Sequence, residues 1–176
     1  MNKAVFLDRD GVINEVKSTR VRFVNKPKDF FFLPGVKEAV AKLNTCGYDV
    51  FVVTNQGGVG LGYMSEKMLD EIHQHMQKEF DEAGAVIKEV QACTHDPSEN
   101  CPCRKPKPGM LEALIKKYNI TVDKSYMIGD REVDIEAGNA AKLTSIIVSN
   151  QYDKAKQSFE DLPEVVEWIC EKYTNS

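Results

Sequence analysis

The chain has 176 residues, 42% of them apolar, with 27 acidic against 23 basic side chains and a net charge of −4. That length and apolar share suit one globular domain spanning 1–176. The acidic balance argues against nucleic acid as the main partner, because duplex binding usually shows a basic face, and no run approaches the ~20 apolar residues of a membrane span.

The N-terminus, MNKAVFLDRD, reaches its first acids with no apolar leader, so a cytoplasmic protein is expected. Lys3–Leu7 is a short apolar run that reads as a strand. After the breaker Pro34-Gly35, Val36–Leu43 has helical spacing, with Gly47 as a stop signal. Asp49–Val53, β-branched and apolar, is a second strand. Ser65 opens a longer helix that ends near Gly84, and Val86–Ala92 is a third strand. Pro108–Tyr118 is a helix with proline where a first turn tolerates one. Ser125–Ile128 is a fourth strand, Glu132–Ala141 a helix, Thr144–Val148 a fifth strand and Leu162–Tyr173 a closing amphipathic helix. Strands alternating with helices predict an α/β fold of Rossmann-like type, a five-stranded parallel sheet with helices on both faces and no large cap domain. Residues 15–33 read as a long basic loop.

Such sheets bind ligands beyond the carboxyl ends of their strands. Strand one ends in Asp8-Arg9-Asp10, strand two in Thr54-Asn55-Gln56 and strand four in Gly129-Asp130. Three distant polar clusters are therefore expected on one rim. Side chains alternate along extended backbone, so Asp8 and Asp10 should point one way and Arg9 the other. With Asp130 close by, three carboxylates need a cation, and hard oxygen ligands suit Mg²⁺. A carboxylate beside such an ion can attack phosphorus, a second can protonate the leaving oxygen, and a hydroxyl and a lysine can hold the phosphoryl oxygens.

The five cysteines divide into two groups. Cys93, Cys101 and Cys103 lie within eleven residues, too close for a disulfide framework. With His95 they make two close pairs around a short loop, three thiolates and an imidazole that suit tetrahedral, structural Zn²⁺. Cys46 and Cys170 read as inert helix or core residues. His73 and His75, on a polar helix, read as solvated.

DRDG at 8–11, TNQ at 54–56, RKPKPGM at 104–110 and GDREVD at 129–134 resemble, in order, the four motifs of the haloacid dehalogenase (HAD) superfamily of phosphatases. The resemblance implies Asp8 as nucleophile and Asp10 as general acid and base. It places Mg²⁺ between Asp8, the Asp10 backbone and Asp130, with Thr54 and Lys105 on the phosphoryl group and Asp134 orienting the lysine or the metal waters. Arg9, Asn55, Gln56, Arg104 and Arg131 become candidate substrate contacts, with Phe23 a further one. Within the superfamily, Cys-x-His followed by Cys-x-Cys-Arg-Lys-Pro resembles both the D-glycero-D-manno-heptose 1,7-bisphosphate phosphatase family and the histidinol-phosphate phosphatase domain. NQGGVGLGYMSE (55–66) and EAGNAAKL (136–143) favour the heptose enzymes. The expectation is a monomeric, Mg²⁺-dependent phosphatase of a phosphorylated sugar, with structural Zn²⁺. Histidinol-phosphate phosphatase and a catalytically silent phosphate-binding module are the alternatives.

Overall fold

The computed structural model describes residues 1–174. Its centre is a parallel sheet built from β1 (Ala4–Leu7), β2 (Asp49–Asn55), β3 (Glu89–Cys93), β4 (Tyr126–Gly129), β5 (Thr144–Val148) and β6 (Gln157–Phe159), in the order β3-β2-β1-β4-β5-β6. The helices are α1 (Val36–Thr45), α2 (Glu66–Glu82), α3 (Gly109–Tyr118), α4 (Glu132–Ala140) and α5 (Leu162–Thr174). Strand alternation divides the core. Val5, Leu7, Val50 and Val52 pack with apolar residues of α1, α2 and α5, and Ala4, Phe6, Phe51 and Val53 pack with those of α3 and α4. Burial on both faces explains why β1 and β2 read as unbroken apolar runs. Phe6 and Phe51, both fully buried, stack with centroids 5.2 Å apart; each contributes on the order of 2–3 kcal/mol through burial.

The sheet has six strands, where five were expected. β6 is three residues long, QSF, and mostly exposed. It pairs with β5 through Ile147↔Ser158 and its neighbours, so ladder hydrogen bonds define it where an apolar pattern does not. β3 begins at Glu89, later than the expected Val86. Asn44 explains the shift: its side chain accepts from the Val86 N–H at 2.8 Å and donates to the Val86 carbonyl at 3.2 Å, holding that residue outside the ladder. The helix ends agree with their signals. Ser65 caps α2 by accepting from the Met68 amide at 3.0 Å.

Cys46 and Cys170 are not separate inert residues. Cys46 caps the C-terminus of α1, Cys170 lies on α5, and their sulfurs join in a disulfide with Cα atoms 6.0 Å apart across 124 residues of sequence. Their distance in sequence hid the pairing. Among the described residues no helix is long and apolar enough to cross a membrane.

The order of strands reverses between β1 and β4, and this is where the fold opens a crevice. Leu7 is in register with Ile128, and the Asp8 amide still donates to the Ile128 carbonyl at 3.0 Å. The residues that follow the ends of the two strands, Asp8 after Leu7 and Asp130 after Gly129, therefore emerge at the mouth of that crevice.

Candidate active site

A cavity of about 830 Å³ covers the carboxyl ends of β1, β2 and β4, and Asp8, Asp10, Lys105 and Asp130 line it. Asp8, Asp130 and Asp134 offer carboxylate oxygens that all lie within 4.8 Å of one another. Gly11 makes this crowding possible. It sits at φ +85°, and a Cβ there would collide with the Asp130 carboxylate; only glycine tolerates both conditions. Burial, and after it the Asp134 carboxylate, push Asp8 well above the usual carboxylate range, and the same two causes push Asp130 up to about 6. Among the described residues the buried Asp130 Oδ1 atom has no hydrogen-bond partner. A trio of acids with one orphaned oxygen is a donor set that fits a hard divalent cation.

Lys105 is the cation already present. It is 3% exposed, and its ammonium donates to Asp8 Oδ1 at 2.9 Å, Asp134 Oδ1 at 2.7 Å and the Val53 carbonyl at 2.9 Å. All three of its N–H bonds are used. Burial alone would favour the neutral amine, but Asp8 and Asp134 together hold its pKa above the usual lysine value. Asp134 also caps α4, accepting from the Arg131 amide at 3.1 Å. Asp134 thus joins the lysine to the first turn of α4.

Asp10 lies outside the trio. Its Oδ1 accepts from Arg9 Nε at 3.1 Å, Arg9 Nη2 at 2.8 Å and Asn14 Nδ2 at 3.0 Å, and its Oδ2 from Gln56 Nε2 at 3.2 Å. Burial opposes its charge, but Arg9, Asn14 and Gln56 outweigh that and lower its pKa. Thr54 is completely buried, and its hydroxyl accepts from Gln56 Nε2 at 2.8 Å, leaving its own proton free to donate.

Several expected substrate contacts are engaged elsewhere. The Arg9 side chain is 1% exposed and forks onto Asp10, because the chain turns at Gly11 and ends the simple alternation that would point it away. Asn55 accepts from the Lys105 amide at 3.0 Å and donates to the Lys105 carbonyl at 3.1 Å, fixing that residue's backbone. Gln56 is bound to Thr54 and Asp10. Arg104, Arg131 and Phe23 do line the cavity. Arg131 is exposed, and Arg104 Nη1 is buried with no partner. His73, expected in solvent, is instead 3.0 Å from Arg9 Nη1. The signal was in the pattern: Leu69, Ile72, His73, Met76 and Phe80 follow the spacing of one helix face, and the four apolar members are buried. His75 packs edge-on to Phe30.

Cys93 ends β3, and Cys101, Cys103 and His95 close around it. The separations are 2.9 Å for Cys93–Cys103, 3.4 Å for Cys93–Cys101, 3.6 Å for Cys101–Cys103, 3.5 Å for Cys93–His95 Nδ1 and 3.2 Å for His95 Nδ1–Cys103. A tetrahedron of S and N ligands around one ion has edges of about 3.3–3.8 Å, so the set is close to a metal cage. Against a desolvation penalty, hydrogen bonds from Cys93 and the Arg104 amide pull Cys101 down to about 6, while burial and the neighbouring thiols push Cys103 up to about 12. A divalent cation resolves such a conflict by holding all three as thiolates. The loop has other supports: Asp96 accepts from the Ser98 amide at 2.8 Å, and Lys107 Nζ donates to the Cys101 carbonyl at 2.9 Å. Gly60 lets the 57–63 turn lie against it, since a Cβ there would overlap the Asp96 backbone. From Cys103 the chain passes directly to Arg104 and Lys105.

Residues 102–169 match the family model described as HAD-hydrolase-like. A D-glycero-beta-D-manno-heptose-1,7-bisphosphate 7-phosphatase of Helicobacter pylori (strain J99) is 36% identical over 173 residues, covering 96% of this chain and 97% of that one. A D-glycero-alpha-D-manno-heptose-1,7-bisphosphate 7-phosphatase of Photorhabdus laumondii is 37% identical, covering 80% and 79%. Among solved structures, the D,D-heptose 1,7-bisphosphate phosphatase of B. bronchiseptica, complexed with magnesium and phosphate, superposes with a TM-score of 0.88 at 29% identity over 97% of this chain and 99% of that one. With the acids, the lysine and the Cys/His loop arranged as described, the chain belongs to the D-glycero-D-manno-heptose-1,7-bisphosphate 7-phosphatase family of HAD-like hydrolases.

Proposed function

We propose that this protein removes the 7-phosphate of D-glycero-D-manno-heptose 1,7-bisphosphate through a phosphorylated Asp8. The observation that carries the reading is Asp8 itself: a carboxylate at the crevice mouth, aligned by Lys105 and adjoining the Asp130–Asp134 pair. An Asp8 oxygen attacks phosphorus, and the bond from phosphorus to the sugar oxygen breaks. Asp10, which takes up a proton from solvent as the phosphate dianion binds beside it, gives that proton to the oxygen. The Asp10 carboxylate then takes a proton from water, the water oxygen bonds to phosphorus, and the Asp8–phosphorus bond breaks to release phosphate. Thr54 would donate its free proton to a phosphoryl oxygen, and Lys105, bound to Asp8, would set its positive charge beside those oxygens, on which the charge is spread. Arg104 and Arg131, neither of them in a carboxylate pair among the described residues, suit the second phosphate of a bisphosphate. Every one of these groups comes from one chain, so a monomer suffices, and the cytoplasm, where sugar phosphates are handled, is the expected compartment.

Asp8, Asp130 and the Asp10 backbone would hold Mg²⁺. When bound, that ion would neutralise phosphoryl charge that this acidic site otherwise repels. Turnover should stop on chelation with EDTA and return with added Mg²⁺. Activity that persists after complete removal of divalent cations would contradict the ligand assignment. Rates with heptose 1,7-bisphosphate and with histidinol phosphate test the substrate. A clear preference for the second would displace the heptose reading but keep the phosphatase one, and turnover of neither would leave the silent binding module.

Cys93, His95, Cys101 and Cys103 would hold Zn²⁺ with no position left open, a structural role. Purified protein should carry about one zinc per chain. Cys101→Ser should carry less and melt roughly 5–10 °C lower, a loss of about 2–3 kcal/mol in a chain of this size. Its KM should rise more than its kcat falls, because the loop leads into Arg104. Elemental analysis and a melting curve check this; wild-type protein without zinc and an unchanged melting temperature in the variant would make these ordinary loop cysteines.

A further inference from the structure

We propose that His73 is a positioning residue for Asp10, acting through Arg9 to aim that carboxylate at the leaving oxygen; the proposal rests on the phosphatase reading above. The connection runs from helix α2 to the reacting group. Arg9, 1% exposed, places Nε and Nη2 on Asp10 Oδ1 at 3.1 and 2.8 Å, and its Nη1 lies 3.0 Å from His73 Nε2. A guanidinium can only donate, so Nε2 presents its lone pair and the ring proton is on Nδ1. Burial, and then the Arg9 cation, lower the His73 pKa to about 3, so the ring stays a neutral acceptor.

The effect on Asp10 is asymmetric. Its Oδ1 receives three hydrogen bonds, two from Arg9 and one from Asn14, while Oδ2 has only the 3.2 Å contact from Gln56. Oδ2 is therefore the atom free to carry the proton to the leaving oxygen and to take it from water. Which oxygen is saturated depends on where the Arg9 fork sits, and a long, flexible side chain holds one rotamer only if its far nitrogen is satisfied too. Without the His73 acceptor, Nη1 is a buried donor with no partner, and the fork has reason to move.

A purely structural role would lower activity on all substrates alike. A role exerted through a general acid depends on the leaving group. A sugar alkoxide needs the proton, whereas 4-nitrophenolate leaves without it. The test compares kcat/KM for heptose 1,7-bisphosphate and for 4-nitrophenyl phosphate in the wild-type protein, His73→Phe, His73→Gln and Asp10→Asn. Each ratio is taken within one preparation, so it does not depend on the fraction of protein correctly folded. His73→Phe should lose about 30-fold on the sugar phosphate, within the ~10² cost of a misplaced reacting group, and no more than about threefold on the aryl ester. His73→Gln, which restores an acceptor, should recover most of the loss. If Asp10→Asn separates the two substrates and His73→Phe does not, the proposal is wrong and the phosphatase reading stands. If Asp10→Asn does not separate them either, the assignment of Asp10 as acid fails, and this inference with it.

Discussion

Asp8→Asn should abolish turnover while leaving the fold intact. An amide of nearly the same size cannot form the acyl phosphate, so kcat should fall by at least about 10³-fold. Stability should change little, because two effects oppose each other. The variant replaces a charged acceptor of the Lys105 ammonium with a weaker, neutral amide oxygen, but it also removes a charge that burial and the Asp134 carboxylate disfavour. Lys105 keeps Asp134 and the Val53 carbonyl. The melting temperature should therefore stay within a few degrees of wild type, read by calorimetry beside a phosphate-release assay. A variant that keeps more than a few per cent of the wild-type rate would exclude the covalent route through this residue.

The parts of the site that the sequence displayed were those tied to a local rule. A parallel α/β pattern places polar residues at the carboxyl ends of strands, and Asp8, Thr54 and Asp130 stand there because β1, β2 and β4 are unmistakable apolar runs. The Cys/His loop was visible because its four ligands fall within eleven residues. What the sequence concealed depends on contacts between distant segments. Arg9 and His73 are 64 positions apart, and the amide of Asn55 could as well have faced a ligand as the backbone of Lys105. Cys46 and Cys170 meet only because α1 packs on α5. β6 has no apolar pattern to give it away; it is a strand because β5 offers an open edge. Alternation misjudged Arg9 for a related reason: it holds along a strand, and the strand has ended by Gly11.

Lys105→Met should damage stability and activity together, and the two losses should separate. The side chain is buried, and its charge is the partner of both Asp8 and Asp134. Methionine of similar length fills the space but leaves two buried carboxylates without their cation. Breaking a buried pair by removing one partner costs about 3–5 kcal/mol. The variant can relieve that cost by binding a proton. Asp8 already has a folded-state pKa raised above its unfolded value, and loss of Lys105 raises it further. A group of this kind destabilises the fold while ionised, and the penalty falls as pH drops through its folded-state pKa. The melting gap between variant and wild type should therefore be wider at pH 8 than at pH 5.5. Adding Asp134→Asn removes one of the stranded charges and should recover part of the stability. It should recover no activity, because the ammonium proposed to stabilise the phosphoryl charge is still missing, a loss of about 10²–10³-fold in kcat. Melting curves at the two pH values and phosphate release from both variants decide the matter. A single variant as stable as wild type at pH 8, or a double variant with restored turnover, would show that Lys105 does not bind these acids and the phosphoryl group into one site.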